Sequence, residues 1–209
     1  MKTLKIFLSL LILTAPALFA APAAPLQDAD AQREKVLASF IAWDTKLKTL
    51  AMFYDQETSF EGIPISSSSG RIYKKDNLIR LDVFGADGKV AQSAITDKQI
   101  IRIIDDKGKP VTTLTWKEWQ DSQPNKALFD FGNYAALFES HKVVDFAKLD
   151  DGWRVVLVPA HGDTYRLEFL LDAKDFFPRE ISISSEGVTT KTGLRTILKN
   201  KELSGNLFK

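Results

Sequence analysis

Hydrophobic and polar residues alternate along much of this sequence, with the period of two that is typical of β-strands with one buried face. The clearest stretch covers residues 69–105, where short runs rich in Ile, Leu, Val and Tyr are separated by polar sequences. The separators at 75–77 (Lys-Asp-Asn) and 85–88 (Gly-Ala-Asp-Gly) contain the residue types that favour tight turns. This pattern predicts a meander of antiparallel strands.

Two strands of this meander carry different patterns. Ile79, Leu81 and Val83 occupy alternate positions, whereas the run Ile100–Ile104 places aliphatic side chains on both sides of Arg102. A strand that is apolar on both faces needs two covers. A packed helix can supply one cover and an apolar ligand cavity the other, and alternation alone does not say which face is which. The pattern therefore favours a protein that binds lipid.

Further runs of this kind predict strands at 50–60, 111–116, 143–149, 153–159, 164–171, 178–185 and 188–198, which brings the count to about eleven. A flat open sheet rarely carries so many strands, so we expect the sheet to curl. The run 62–70 contains Pro64 and four consecutive serines, and it is predicted to be a flexible hairpin loop.

Two segments have helical features instead. Residues 28–50 place Val36, Phe40 and Leu47 at helical spacing behind a capping Asp28 or Asp30, and they predict one amphipathic helix. The segment 116–138 is the most aromatic part of the chain and predicts two short helices or one interrupted helix. Its rings either fill the core or line a cavity for acyl chains, because large rings can pack around lipid.

The N-terminus has the features of a secretory signal peptide. Lys2 and Lys5 form a basic region, residues 6–13 are apolar, and small residues at 15–24 offer cleavage sites. We expect residues 1–23 to be removed and residues 24–209 to form one exported domain. No later run approaches the roughly 20 apolar residues that a membrane-spanning helix needs.

Composition excludes several classes of protein. The formal charge of +1 comes from 28 basic and 27 acidic residues without a basic cluster, so we expect no nucleic acid partner. The absence of Cys removes an acyl-anchored lipoprotein, a disulfide framework and thiol chemistry. The two histidines, His141 and His161, have no metal-ligand spacing, and both are predicted to lie at the surface. We expect a non-enzymatic protein with no cofactor or metal.

The motifs of the meander resemble those of a known family. Gly70, Ile72, the turn at 75–77 and the sequence from Thr96 to Asp105 resemble the periplasmic outer-membrane lipoprotein carrier (LolA-like) family, which carries Gly-x-Leu, Lys-Arg-Pro-Asn and Asp-Gly motifs. Residues 153–159 and the closing Asn-Leu-Phe also resemble this family. Lys75, Asp76, Leu81 and Lys98 replace the family's Arg, Pro, Trp and Gly, and the first segment is one residue shorter.

The resemblance implies an α+β fold, with a strongly curved antiparallel sheet that forms an open, incomplete β-barrel. An N-terminal helix and a helical insertion would cover its concave face. The implied function is a periplasmic chaperone that carries the acyl chains of lipoproteins from the inner to the outer membrane. Implied partners are acylated lipoproteins, an inner-membrane lipoprotein-releasing transporter and an outer-membrane acceptor, and the protein is expected to be a monomer.

Candidate site residues follow from the strand pattern and from the resemblance. Those expected in the cavity, its lid or the core facing the helices are Phe40, Ile79, Leu81, Ile101, Ile103, Leu128, Phe129, Tyr134, Phe138 and Phe169. Lys75 takes the place of the family's Arg, which latches the lid over the empty cavity. The alternatives are a carrier or sensor of another lipid or glycolipid on the same fold and, third, a hydrolase.

Overall fold

The computed structural model describes residues 26–122, 133–162 and 164–209. The predicted signal peptide and the predicted site residues Leu128 and Phe129 lie outside these ranges. None of the helices in the described part of the chain has the length and apolar composition needed to cross a membrane.

One antiparallel sheet of eleven strands dominates the structure. In chain order the strands are β1 (Thr49–Phe60), β2 (Ile63–Lys75), β3 (Leu78–Phe84), β4 (Val90–Thr96), β5 (Ile100–Asp105), β6 (Pro110–Thr115), β7 (His141–Leu149), β8 (Gly152–Pro159), β9 (Arg166–Asp172), β10 (Pro178–Ser185) and β11 (Val188–Lys199). Their spatial order is β6-β5-β4-β3-β2-β1-β11-β10-β9-β8-β7. Since β6 and β7 do not pair, the sheet stays open, which confirms the predicted incomplete barrel.

In the described ranges, four α-helices accompany the sheet: α1 (Leu26–Ile41), α2 (Trp43–Lys46), α3 (Trp116–Ser122) and α4 (Tyr134–Ser140). The predicted single helix over 28–50 ends earlier, because Leu47 already has extended backbone angles and β1 begins two residues later. Asn200 fixes this junction, since its side chain accepts from the Lys48 N–H at 2.8 Å and donates to the Lys46 carbonyl at 2.9 Å.

The main core lies between the helices and one face of the sheet, which we call the concave face. Val36 and Phe40 of α1 are almost fully buried there, together with residues from β1, β2 and β8–β11. Alternate residues of each strand meet this core, as the sequence predicts for Leu167, Phe169 and Leu171 of β9. Burying side chains of this size stabilises the fold by roughly 1.5–3 kcal/mol each.

The prediction of a flexible loop at 62–70 is wrong. Residues 63–69 continue β2, and the four serines pair with Asp55–Thr58 of β1. The chain reverses at Glu61 (φ 48°) and Gly62 (φ 80°), whose positive φ angles suit a two-residue hairpin turn. Because backbone groups form the ladder, a strand of serines needs no apolar side chains to pair.

The C-terminus covers the opposite face of β3. A 3₁₀ helix (Gly205–Phe208) packs there and buries Phe208. The Arg80 guanidinium donates to the Leu207 carbonyl at 3.0 Å, to the Ser93 hydroxyl at 3.0 Å and to the Asp82 carboxylate at 2.6 Å. The C-terminal segment therefore covers the face of β3 that lies opposite the main core. The sequence predicts two covers for β5, but there Ile101 is buried on one face and Ile100 is 50% exposed on the other.

Candidate functional site

An aromatic cluster joins the helices to the concave face. The Phe40 ring of α1 lies 4.5 Å from Tyr134 and 5.7 Å from Phe138, both on α4, and 5.1 Å from Phe169 on β9, measured between ring centroids. The structure thus brings four of the predicted site residues together. Phe40, Tyr134 and Phe169 are at most 4% exposed, so the cluster is a packed core.

The aliphatic candidates lie together on another part of the same face. Ile79 and Ile101 share the pairing partner Thr96, and Leu81 and Ile103 share Ala94, so each pair lies on one side of the sheet. Ile79 and Ile101 are buried, whereas Leu81 and Ile103 are half-buried. Leu81 also packs against the core cluster that includes Phe169, which makes the two groups parts of one apolar surface.

The aromatic insertion is divided between two of the described helices. Trp116 and Trp119 of α3 stack on each other with ring centroids 4.9 Å apart, and Tyr134 and Phe138 of α4 contact Phe40. Only α4 therefore contributes described rings to the cluster under α1.

The concave face becomes polar beyond Tyr54. The Thr58 and Thr190 hydroxyls lie 3.0 Å apart, and Thr192 donates to the Gln56 side-chain oxygen at 3.4 Å. Thr190 and Thr192 are only 3% and 5% exposed. We call these four residues the hydroxyl band. Sequence reasoning missed it, although its members alternate along β1 and β11 in the same way as the apolar residues.

Tyr54 marks the boundary between the apolar and polar parts of the face. Burial raises the pKa of its hydroxyl to about 12, with a smaller contribution from the Asp82 carboxylate. The hydroxyl therefore stays protonated at physiological pH and can act as a hydrogen-bond donor there.

Lys74 is a buried lysine on the concave face. It pairs with Leu50 and Ile79, is only 7% exposed, and its Nζ donates to the Leu47 carbonyl at the end of α2 at 3.4 Å. Lys75, the latch predicted from the resemblance, pairs with Thr49 and Leu78 on the other face and is half-buried. Adjacent residues of a strand face opposite sides of the sheet, so only Lys74 of these two lysines faces α2.

Burial lowers the pKa of Lys74, and the nearby Lys98 and Lys48 add to this effect against the opposing Asp76 and Asp44 carboxylates. The folded state therefore loses this proton at a lower pH than the unfolded chain does. Because the unfolded state then binds more protons, stability from this group rises with pH.

We expect Lys74→Met to change the pH dependence of stability. Between the lowered pKa and the ordinary value of 10.5, the wild-type free energy of unfolding should rise relative to that of the variant. Urea unfolding of both proteins at several pH values up to 10.5 measures this difference. A difference that is constant with pH would contradict the assignment.

A carboxylate connects α2 to α4. Asp44 accepts from the backbone N–H groups of Tyr134 and Ala135, each at 2.7 Å, and so caps the first turn of α4. At the other end of α4, the half-buried His141 ring contacts the Leu137 carbonyl at 2.9 Å and the Tyr165 hydroxyl at 2.8 Å. The carbonyl can only accept, so Nδ1 of His141 donates this hydrogen bond.

These contacts define a cover made of α1, α2 and α4, which Lys74, Asp44 and His141 attach to the sheet and to one another. Sequence reasoning missed Asp44, because it contacts a residue 90 positions away and no local pattern signals that contact. Within the described ranges, no group of three or more His, Asp or Glu residues is placed to hold a metal ion.

No protein-family model matches the sequence, and no curated protein matches it. A search of solved structures finds similar folds at low identity. An uncharacterized conserved protein from Thermus thermophilus is 9% identical with a TM-score of 0.52, over 85% of this chain and 93% of that one.

Two further structures are similar over most of both chains. A LolA superfamily protein from Nitrosomonas europaea is 10% identical with a TM-score of 0.48, over 84% of this chain and 96% of that one. The lipoprotein LppX from Mycobacterium tuberculosis is 9% identical with a TM-score of 0.46, over 82% and 98%.

Proposed function

We propose that this protein is a periplasmic carrier that binds the acyl chains of lipoproteins on the concave face and carries them from the inner to the outer membrane. The observation that carries the proposal is the continuous apolar surface under α1 and α4. Phe40, Tyr134, Phe138 and Phe169 form its centre, and Leu81 and Ile103 extend it towards β5. Such a surface matches acyl chains, each buried methylene of which contributes about 0.8 kcal/mol.

Cargo entry requires the cover to move, because the rings beneath it are packed in the closed state. The cover is attached at a few polar points, including the Asp44 cap and the Lys74 bond to Leu47. Moving α4 exchanges its ring contacts for contacts with an acyl chain. The energy of closure then favours release of the cargo to an acceptor that binds it more tightly.

The proposal includes export and partners. A leader at residues 1–23 and a single domain over 24–209 fit the composition of the N-terminus and the one sheet that the described residues form. The partners we propose are acylated lipoproteins, an inner-membrane transporter that releases them and an outer-membrane acceptor. The carrier acts as a monomer without a cofactor.

Mass spectrometry of the exported protein purified from cells tests this function. A lipoprotein carrier should co-purify with acylated polypeptide. Recovery of the protein with neither lipid nor acylated polypeptide, under conditions in which an added acyl probe does not bind, would contradict the proposal.

A carrier or sensor of another lipid or glycolipid is the second candidate, and the hydroxyl band favours it. The paired side chains of Thr58 and Thr190, and of Gln56 and Thr192, adjoin the apolar surface and suit a polyhydroxylated head group. In this case mass spectrometry should find lipid without attached polypeptide.

Asp44→Ala is expected to loosen the cover. Loss of both hydrogen bonds to the start of α4 should lower the free energy of unfolding by about 0.5–2 kcal/mol. It should also speed hydrogen exchange in residues 134–140 and raise the affinity for a fluorescent fatty acid. Asp106→Ala, at an exposed turn, is the matched control and should change none of these. Unchanged exchange in Asp44→Ala would show that this carboxylate does not hold α4.

The latch can be assigned by comparing Lys74→Leu with Lys75→Leu. If Lys74 holds the closed state, its replacement should keep cargo binding but impair transfer to an acceptor, because the empty closed state is then less favoured. Lys75→Leu should behave like the parent. The opposite pattern would assign the latch to Lys75, as the sequence resemblance implies, and parental behaviour of both variants would exclude a lysine latch.

A further inference from the structure

The β1–β2 hairpin is longer than its neighbour β3. Pairing between β2 and β3 stops at Gly70 and Val83, whereas β2 continues to pair with β1 as far as Ile63. Among the described strands, residues 63–69 are therefore hydrogen-bonded on one side only. Every second residue of such a segment directs its N–H and C=O groups away from its partner strand. β2 thus has an open edge in the middle of the sheet.

Part of this edge has none of the features that usually block strand addition. Pro64 protects the hairpin tip, because proline has no N–H group to donate to an added strand. The register between β1 and β2 also shifts between Thr58 and Ser59, and such a bulge disturbs the ladder of hydrogen bonds. Ser66–Ser69 carry only small hydroxyl side chains. Ser66 and Ser67 are exposed, and Ser68 and Ser69 are half-buried. These four residues can accept a further strand.

A notch of about 780 Å³ lies beside this edge on the outer face of the sheet, over β2, β1, β11 and β10. Ser67–Ser69 form one wall, and Phe84, Gly85 and Ala86 of the β3–β4 turn form another. The notch therefore leaves the outer side of this edge accessible.

The charges around the notch favour a neutral or basic strand. Its lining contains three carboxylates, Asp55, Glu57 and Glu180, against the single ammonium group of Lys191. Lys191 is bound to Glu180 at 3.1 Å and Arg195 is bound to Asp55, so Glu57, which is exposed opposite Ser67, is the carboxylate that favours a basic strand. An added strand with Lys or Arg at alternate positions would be attracted, and an acidic strand would be repelled.

The edge begins where the apolar surface ends. Ser69 precedes Gly70, and Ile72, two residues further along β2, belongs to the core under α1. A molecule with an acyl chain on the concave face and a peptide attached to it can therefore reach the edge directly.

We infer that Ser66–Ser69 bind an extended peptide by strand addition, and that this peptide is the small, polar and basic segment that follows the acylated residue of a cargo lipoprotein. The inference rests on the proposed function, and it names the part of the cargo that distinguishes a lipoprotein from a free lipid. Backbone hydrogen bonds supply the affinity, so the peptide needs an extended, proline-free backbone more than a particular sequence.

Two palmitoylated hexapeptides test the inference. One alternates Thr and Lys, and the other has the same charge with two Thr residues replaced by Pro. Fluorescence anisotropy of labelled forms should show about tenfold tighter binding of the first, as expected from the loss of a few backbone hydrogen bonds. Equal affinity for both peptides would overturn strand addition while leaving acyl binding intact. Failure of both to bind would overturn the proposed function together with the inference.

Protein variants locate the binding edge. Adjacent N–H groups of β2 point in opposite directions, so one of Ser67→Pro and Ser68→Pro removes an edge donor and the other a donor to β1. The variant that keeps the parental melting temperature should bind both peptides equally. Ser67→Thr and Ser68→Thr keep the N–H groups and should retain the preference. A preference unchanged in both proline variants would place the peptide elsewhere.

Two further experiments test the contribution of the Glu57 charge and the identity of the strand that binds to the β2 edge. Glu57→Lys should weaken binding of the Thr-Lys peptide several-fold and leave an all-Thr palmitoylated peptide unaffected. Sedimentation of the unliganded protein tests whether a second copy occupies the edge instead. A dimer that the proline variants abolish would show that two copies of the chain pair edge to edge, and it would overturn the assignment of this edge to a cargo peptide.

Discussion

Phe40→Ala is expected to lower the free energy of unfolding by about 3–5 kcal/mol, the usual range for removing a buried phenylalanine ring. Phe40 is fully buried and contacts Tyr134, Phe138 and Phe169, so its loss leaves a cavity between α1, α4 and β9. For a chain of this size the melting temperature should fall by roughly 6–20 °C. Urea unfolding and thermal melting measure both quantities.

Phe60→Ala makes the same chemical change at an exposed site and is the matched control. The Phe60 side chain is 46% exposed at the tip of the β1–β2 hairpin, so its removal should change stability little. Equal effects of the two substitutions would mean that the cluster around Phe40 does not hold α1 and α4 on the sheet.

Gly70→Ala is expected to destabilise the protein by about 2–4 kcal/mol, because the new methyl group would have no room. It would lie 1.9 Å from the Asp82 carbonyl oxygen and 2.7 Å from Cε1 of Tyr54. The first neighbour is backbone of the adjacent strand and can move only if the β2–β3 ladder shifts. Glycine at this position also lets the Tyr54 ring lie close over the strand.

Gly193→Ala on β11 provides the control within the same sheet. A methyl group there would find its nearest neighbour, the Asp55 carbonyl oxygen, at 3.9 Å. Without a clash, alanine should be neutral or should stabilise the fold by about 0.4–1 kcal/mol, since it reduces the entropy of the unfolded chain. If Gly70→Ala were equally well tolerated, the close approach of β2 to β3 would not be a constraint.

Most strands were predictable, because each has a face on the core and therefore alternates. Residues 165–171 illustrate this, since Leu167, Phe169 and Leu171 are buried and Arg166 is exposed. The serine strand was not predictable from side chains, because its stability comes from backbone pairing with β1. The signal that could have found it is the Glu61-Gly62 turn, which makes a second reversal within the serines unnecessary.

The end of α1 and the position of the latch show a different difficulty. Leu47 and Leu50 are three residues apart, a spacing that fits a helix, yet they lie on either side of the change from helix to strand. For Lys74 and Lys75, the motif gives the turn but not the register. The register depends on pairing with Thr49 and Leu50. Adding or removing one residue in the segment would exchange the two lysines between the faces of the sheet.

The contacts among the candidate site residues were predictable only in part. Phe40, Tyr134, Phe138 and Phe169 come together as expected of a cover on a sheet. Asp44 could not be found, because a hydrogen bond across 90 residues depends on the completed fold. The expected cavity roles of these residues, and of Leu128 and Phe129, stay predictions.

The strand order has a mechanical consequence. Every neighbouring pair in the sheet is consecutive in the chain except β1 and β11, whose paired residues are about 130–150 positions apart. The sheet is therefore two meanders that share a single seam, and closing that seam is the long-range step expected to limit folding. Since β6 and β7 are not joined, the two meanders can bend relative to each other about the β1–β11 seam. For the proposed carrier, the width of the concave face can then follow the size of the cargo without the loss of any strand pair.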